Sequence, residues 1–240
     1  KLGHLSCLHN YPLVLVNSGA EANENAIKMA SFVTGKSGFV AFSGAFHGRT
    51  SGAVALTDNP KIIAPANARE DFHILPWGDL DALEKALKKG TIAGIIIEGI
   101  QGVGGIQVPE PDFLQGIASL AKSYDAKLIL DEVQSGYSRT GRFFAHQWVD
   151  GLMPDFITMA KGMGNGFPIG GLLISPEFKA SYGLLGTTFG GNHLACAAGL
   201  AVLEVLEQEN LQAKALELGD RLMEELKTIP QVKDVRGKGL

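Results

Sequence analysis

The sequence predicts an open α/β sheet with ligand sites at the carboxyl ends of its strands. Three observations predict it. Short apolar, β-branched runs alternate with segments whose apolar residues recur at helical spacing. Several of those runs end in glycine-rich turns that carry polar residues. The 31 glycines and 10 prolines are spread along 240 residues, and 45% of the residues are hydrophobic, enough to bury a substantial core.

The elements follow in order. Tyr11 to Val16 is a buried strand candidate running into Asn17-Ser18-Gly19-Ala20-Glu21-Ala22-Asn23-Glu24. Ala22, Ala26, Met29, Ala30 and Val33 then repeat at helical spacing. A strand, a glycine turn and a helix N-terminus leave unpaired N–H groups at the positive end of the helix dipole, where a phosphate fits. The local sequence reads equally well as a plain Ser18 N-cap. Gly38 to Phe42 is a second strand, followed by Ser43-Gly44-Ala45-Phe46-His47-Gly48-Arg49-Thr50. Phe46 can cover a planar ligand or simply join the core. Arg49 can fork onto a carboxylate or stand in solvent.

Asp71 to Pro76 is a third strand, and Leu80, Leu83 and Leu87 mark a structural helix after Gly78-Asp79. Thr91 to Glu98 is strongly β-branched and reads as a central strand, ending in Gly99-Ile100-Gln101-Gly102-Val103-Gly104-Gly105. Pro111-Asp112 opens an amphipathic helix to Ser123. Leu128 to Leu130 is a short strand closed by Asp131-Glu132, and Phe156 to Met159 is a strand that delivers Lys161. Gly170 to Ile174 is a strand that turns back, and Gly186 to Asn192 is a polar loop. A long apolar helix, Asn192 to Gln208, carries small residues suited to close packing; a second, charged on its outer face, runs from Asn210 to Lys227.

Composition excludes several classes. The formal charge of −4 comes without blocks of one sign, so neither a nucleic-acid groove nor a polybasic membrane patch is expected. Cys7 and Cys196 form no metal-ligand spacing and read as reduced thiols of a cytoplasmic protein. No apolar run approaches the roughly 20 residues of a membrane helix. The chain has neither a G-x-G-x-x-G after its first strand nor a G-K-[ST] loop, which argues against a nucleotide-binding module. It begins at Lys1 without Met and closes on Arg236-Gly237-Lys238-Gly239-Leu240. Both ends read as cut, and the last stretch reads as the approach to another strand.

The chemistry centres on Lys127 to Gly171. Asp131 closes a buried strand, and Lys161 stands thirty residues later in a glycine-rich turn. Singly, they read as a turn residue and a solvated lysine. Together they suit pyridoxal 5'-phosphate, which needs a lysine for its aldehyde carbon and an acid to keep its pyridine nitrogen protonated.

The joint pattern resembles the class III, ornithine-type aminotransferases. Carrying the resemblance are Asp131-Glu132-Val133-Gln134-Ser135-Gly136, Arg139-Thr140-Gly141, Pro154-Asp155, Ala160-Lys161-Gly162 and Phe167-Pro168-Ile169-Gly170. The Asn17–Asn23 segment, Phe46–Thr50 and Gly186–Asn192 match as well. The resemblance implies a fold-type I large domain, a mainly parallel seven-stranded sheet with helices on both faces. It spans residues 1–240, with an N-terminal segment and a small C-terminal domain expected beyond them.

It also implies site roles. Lys161 and Asp131 are catalytic, with Asp131 on the pyridinium nitrogen. Ser18, Gly19 and Ala20 hold the phosphate. Phe46 and Val133 cover the two faces of the ring, Gln134 reaches its phenolic oxygen, and Glu132 belongs to the cofactor-binding set. Arg49 receives the substrate carboxylate. Thr188 reaches the phosphate of the partner subunit and Thr187 its substrate, so a homodimer with shared active sites is implied. The expected activity moves the terminal amino group of an N-acylated ornithine, acetyl or succinyl, to 2-oxoglutarate in arginine biosynthesis. Ornithine or 4-aminobutyrate are alternative donors, and a non-catalytic dimerisation partner is the alternative from another class. Two departures stand out: Gly99 replaces the usual Pro of E-P-x-Q-G-E-G-G, and Val103 its second Glu. That Glu gates between the two substrates in the family, and Val103 cannot form its ion pair.

Overall fold

The computed structural model describes residues 1–179 and 181–240. Its strands are β1 (Leu13–Val16), β2 (Gly38–Phe42), β3 (Phe72–Leu75), β4 (Ile92–Glu98), β5 (Lys127–Asp131), β6 (Phe156–Met159) and β7 (Gly170–Ile174). They form one seven-stranded sheet of order β1-β7-β6-β5-β4-β2-β3. Every pairing is parallel except those of β7, which runs against both β1 and β6. The mainly parallel sheet and its one reversed strand are therefore as the sequence predicts. β1 starts two residues late because Pro12 has no N–H to give to a ladder.

The helices are α1 (Leu2–Leu5), α2 (Gly19–Thr34), α3 (Ser51–Ala55), α4 (Leu80–Leu87), α5 (Pro111–Ser123), α6 (His193–Gln208) and α7 (Leu211–Lys227). Strand side chains alternate between faces, so each strand feeds two cores. Val40, Phe42, Ile95, Ile97, Leu128 and Leu130 pack with α4 and α5 on one face. Phe39, Ala41, Ile96, Ile129 and Phe156 pack with Ala26, Ile27, Met29 and Ala30 of α2 on the other. The inner strands β2, β4, β6 and β7 are buried throughout, as strands covered on both faces must be.

The helix starts obey their caps. Asp79 accepts from Ala82 N (2.8 Å) at α4, and Asn192 accepts from Ala195 N (3.0 Å) at α6. The close packing expected along α6 is confined to one stripe, Ala195, Gly199 and Leu203. Leu194 and Leu200 stand 71% and 51% exposed. The stretch expected to approach another strand, Arg236–Leu240, is irregular; Leu240 N donates to Arg139 O (3.0 Å). Among the described residues, no helix is long and apolar enough to cross a membrane.

Candidate active site

The carboxyl ends of β1, β2, β4, β5 and β6 converge on a cavity of about 480 Å³, within the range of small-molecule sites. Ser18, Gly19 and Ala20 enter it from the start of α2. Ser18 is the N-cap, its Oγ accepting from Glu21 N (3.2 Å). The Glu21 carboxylate in turn accepts from Asn17 N (2.7 Å). The N–H groups of Gly19 and Ala20 have no intrahelical acceptor and face the cavity end of the helix. The plain-cap and anion-site readings of this turn are thus compatible. Gly19 is required by close approach: a Cβ there would lie 2.7 Å from Val133 Cγ1.

Asp131 ends β5 only 3% exposed, and its carboxylate is the hub of the floor. Asn23 Nδ2 donates to Oδ2 (2.8 Å), and His47 Nδ1 bonds the same oxygen (2.8 Å). Val133 N donates to Oδ1 (3.0 Å). Asn23 also donates to His47 O (2.7 Å) and accepts from Thr158 Oγ1 (2.6 Å). A carboxylate oxygen opposite His47 Nδ1 calls for a proton on that nitrogen, and His47 Nε2 is buried without a partner. A carboxylate offers about four lone-pair sites, and three are taken here. One acceptor site is left for a ring nitrogen.

Glu98, the register partner of Asp131 on β4, closes the floor. Its carboxylate accepts from Phe46 N (3.0 Å) and Gly102 N (3.1 Å). Burial pushes its carboxyl above the usual range, against the pull of His47 and with the push of Asp131.

Lys161 follows β6 at φ 41°, a left-handed conformation that costs a non-glycine residue about 1 kcal/mol or more. The short 3₁₀ turn Lys161–Met163 holds it, with Met163 N donating to Ala160 O (2.8 Å). Its Nζ donates to Gln134 Oε1. Phe46, Arg49 and Val133 complete the predicted set on the cavity wall, and Val103 stands at its rim, 73% exposed.

Three predicted site residues do not line the cavity. Glu132 follows Asp131 directly and points to the opposite side of the chain, as adjacent extended residues do. It is 1% exposed and fully engaged by Ala145 N (2.9 Å), His146 N (2.8 Å), Ser135 Oγ (2.6 Å) and the His146 ring (2.8 Å). Glu132, expected among the cofactor-binding residues, is here a buried anchor that does not line the cavity. Glu132→Ala strands these donors and is expected to cost about 3–5 kcal/mol. Thermal unfolding would register it as a large Tm loss, whereas Glu132→Gln should leave cofactor affinity unchanged. Thr187 and Thr188 lie on the loop beside β1: Thr187 Oγ1 accepts from Asn17 Nδ2 (3.0 Å), and Thr188 is exposed.

The sequence reading gave Asn23, His47, Glu98 and Thr158 no role. Asn23 and Asp131 lie 108 residues apart, so no local pattern joins them. Two signals were present. Asn23 is a polar residue beside the buried Ala22 and Ala26 face of α2, and Glu98 closes an apolar strand just as Asp131 does.

Comparison with known proteins decides the family. The model of aminotransferase class-III matches residues 5–240. The chain belongs to the class-III aminotransferase family. Within it, this chain is 47% identical over 230 residues to acetylornithine aminotransferase of Mycolicibacterium smegmatis, covering 93% of this chain and 58% of that one. The Bacillus subtilis acetylornithine aminotransferase is 43% identical over 230 residues, 93% and 60% of the two chains. This class-III aminotransferase chain thus spans about three fifths of these relatives. Among solved structures, taurine:2-oxoglutarate aminotransferase of Bifidobacterium kashiwanohense, in complex with PLP and glutamate, superposes with a TM-score of 0.91 at 27% identity, covering 99% and 61% of the two chains. Ornithine aminotransferase of Toxoplasma gondii gives 0.85 at 32% identity, covering 100% and 62%. The donor set described above fits pyridoxal phosphate: a helix N-terminus for the phosphate, a carboxylate with one open acceptor site, flanking Phe46 and Val133, and one lysine.

Proposed function

We propose that this chain forms the cofactor-binding large domain of a pyridoxal-phosphate-dependent transaminase. It moves the terminal amino group of an N-acylated ornithine, acetyl or succinyl, to 2-oxoglutarate in arginine biosynthesis. The observation that supports this best is the convergence of Lys161, Asp131 and the α2 N-terminus on one cavity, in a chain so similar to acetylornithine aminotransferases. The same convergence speaks against a non-catalytic dimerisation partner, which needs none of the three together.

When bound, the cofactor supplies an aldehyde carbon that captures the donor amine and a protonated ring that takes up the electron pair released at the amine-bearing carbon. The chain's residues do the rest. The Gly19 and Ala20 N–H groups and the Ser18 hydroxyl bind the phosphate. Asp131, bonded by Asn23, His47 and Val133 N, would offer its open acceptor site to the protonated pyridine nitrogen. Phe46 and Val133 would cover the two faces of the ring, and Gln134 would bond its phenolic oxygen. Lys161 Nζ would accept the proton from the amine-bearing carbon and donate it two bonds away, across the nitrogen. Arg49 receives the substrate carboxylate. Thr187 and Thr188, outside the cavity of their own chain, serve the partner's site in a cytoplasmic homodimer with shared active sites.

Ornithine and 4-aminobutyrate remain alternative donors because Val103 puts an apolar side chain at the exposed rim where the family has an acid. The test is glutamate formation from 2-oxoglutarate by the cofactor-loaded protein. N-acetylornithine or N-succinylornithine should be the best donor. Faster turnover of ornithine or 4-aminobutyrate would replace the substrate, and no turnover of any of the four would overturn the reading.

A further inference from the structure

We propose that Glu24 is a positioning residue that fixes Arg49 at the mouth of the cavity. The proposal rests on the reading that Arg49 receives the substrate carboxylate. Arg49 is exposed, and its guanidinium lies 6.0 Å from the Phe46 ring centroid. Among the described residues, it forms no ion pair, so its placement depends on the backbone that carries it. That backbone is held on both sides by α2.

On the near side, Gly48 (φ 138°) presses on Ala20: a Cβ there would lie 2.7 Å from Ala20 Cβ. On the far side, one oxygen of Glu24 accepts from Thr50 Oγ1 (2.7 Å), Gly52 N (2.7 Å) and Ala53 N (3.0 Å). Thr50 itself makes no side-chain cap bond to α3, so Glu24 supplies the acceptor from another element. Ala20 and Glu24 are four residues apart and share one face of α2. The helix that presents Gly19 and Ala20 to the cavity thus also sets the Arg49 turn. Charged acceptors make the stronger hydrogen bonds, which favours Glu over Gln at this position.

The experiment compares Glu24→Ala, Glu24→Gln and Arg49→Lys in the cofactor-loaded protein. It measures KM and kcat with N-acetylornithine, pyridoxal phosphate affinity, and amide exchange over residues 50–55. Glu24→Ala should raise KM about tenfold, leave kcat and cofactor affinity nearly unchanged, and speed exchange at Gly52 and Ala53. Glu24→Gln should fall between it and the parent. If Arg49→Lys raises KM and Glu24→Ala does not, the proposal fails while the role of Arg49 stands. If Arg49→Lys leaves KM unchanged, the role of Arg49 fails and takes the proposal with it. Unchanged exchange at Gly52 and Ala53 in Glu24→Ala overturns the proposal whatever the turnover.

Discussion

Lys161→Ala is expected to lower kcat by about 10³-fold or more while leaving the fold intact. Among the described residues, no other lysine lines the cavity, so no second amine can bond the cofactor or carry the proton. A positioned base is worth about 10²–10⁴ by itself, and loss of the covalent anchor adds to that. The cost to folding is small because the Lys161 side chain is exposed and bonds only Gln134. Removing it should change stability by about 0.5 kcal/mol or less. Turnover and thermal unfolding of the same sample check both halves. Retained transamination would remove Lys161 from its role; a collapsed Tm would mean that the turn after β6 depends on the lysine side chain.

Asp131 is expected to behave differently, because it is both electrostatic and structural. Asp131→Asn should lower kcat by about 10²–10³, since a neutral amide cannot hold a proton on the ring nitrogen. Asp131→Ala should add a folding penalty. It strands His47 Nδ1 and Asn23 Nδ2 in a buried site, at about 1–3 kcal/mol for each unmet donor. The pair of variants separates charge from support: kcat should fall in both and Tm mainly in Ala. An unchanged rate in Asn would contradict the electrostatic role. Equal Tm in both would contradict the floor network as a stabilising unit.

The strands were legible because inner parallel strands are mostly apolar, and all but β1, which starts two residues late, fall within a residue of their predicted runs. The cavity was legible where one segment carries its own signal, as at Ser18-Gly19-Ala20, Asp131 and Lys161. The position of Glu132 off the cavity wall was not legible, because neighbours in an extended chain point to opposite sides. Its four donors include three from residues 145 and 146, which the sequence does not bring near. Asn23, His47 and Thr158 were illegible for a related reason. The hub they build joins α2, the turn after β2, and strands β5 and β6, four segments that meet only once the sheet order is known. The exposed face of α6 escaped notice because small apolar residues look alike whether they pack against a neighbour or face outward.

Reductive trapping tests the role of Lys161 chemically. The purified protein is incubated with pyridoxal phosphate, reduced with borohydride, digested and analysed by mass spectrometry. A pyridoxyl-phosphate mass is expected on Lys161 and on no other lysine to a comparable extent. A label elsewhere, or none, would contradict the assignment of this cavity as a pyridoxal-phosphate active site.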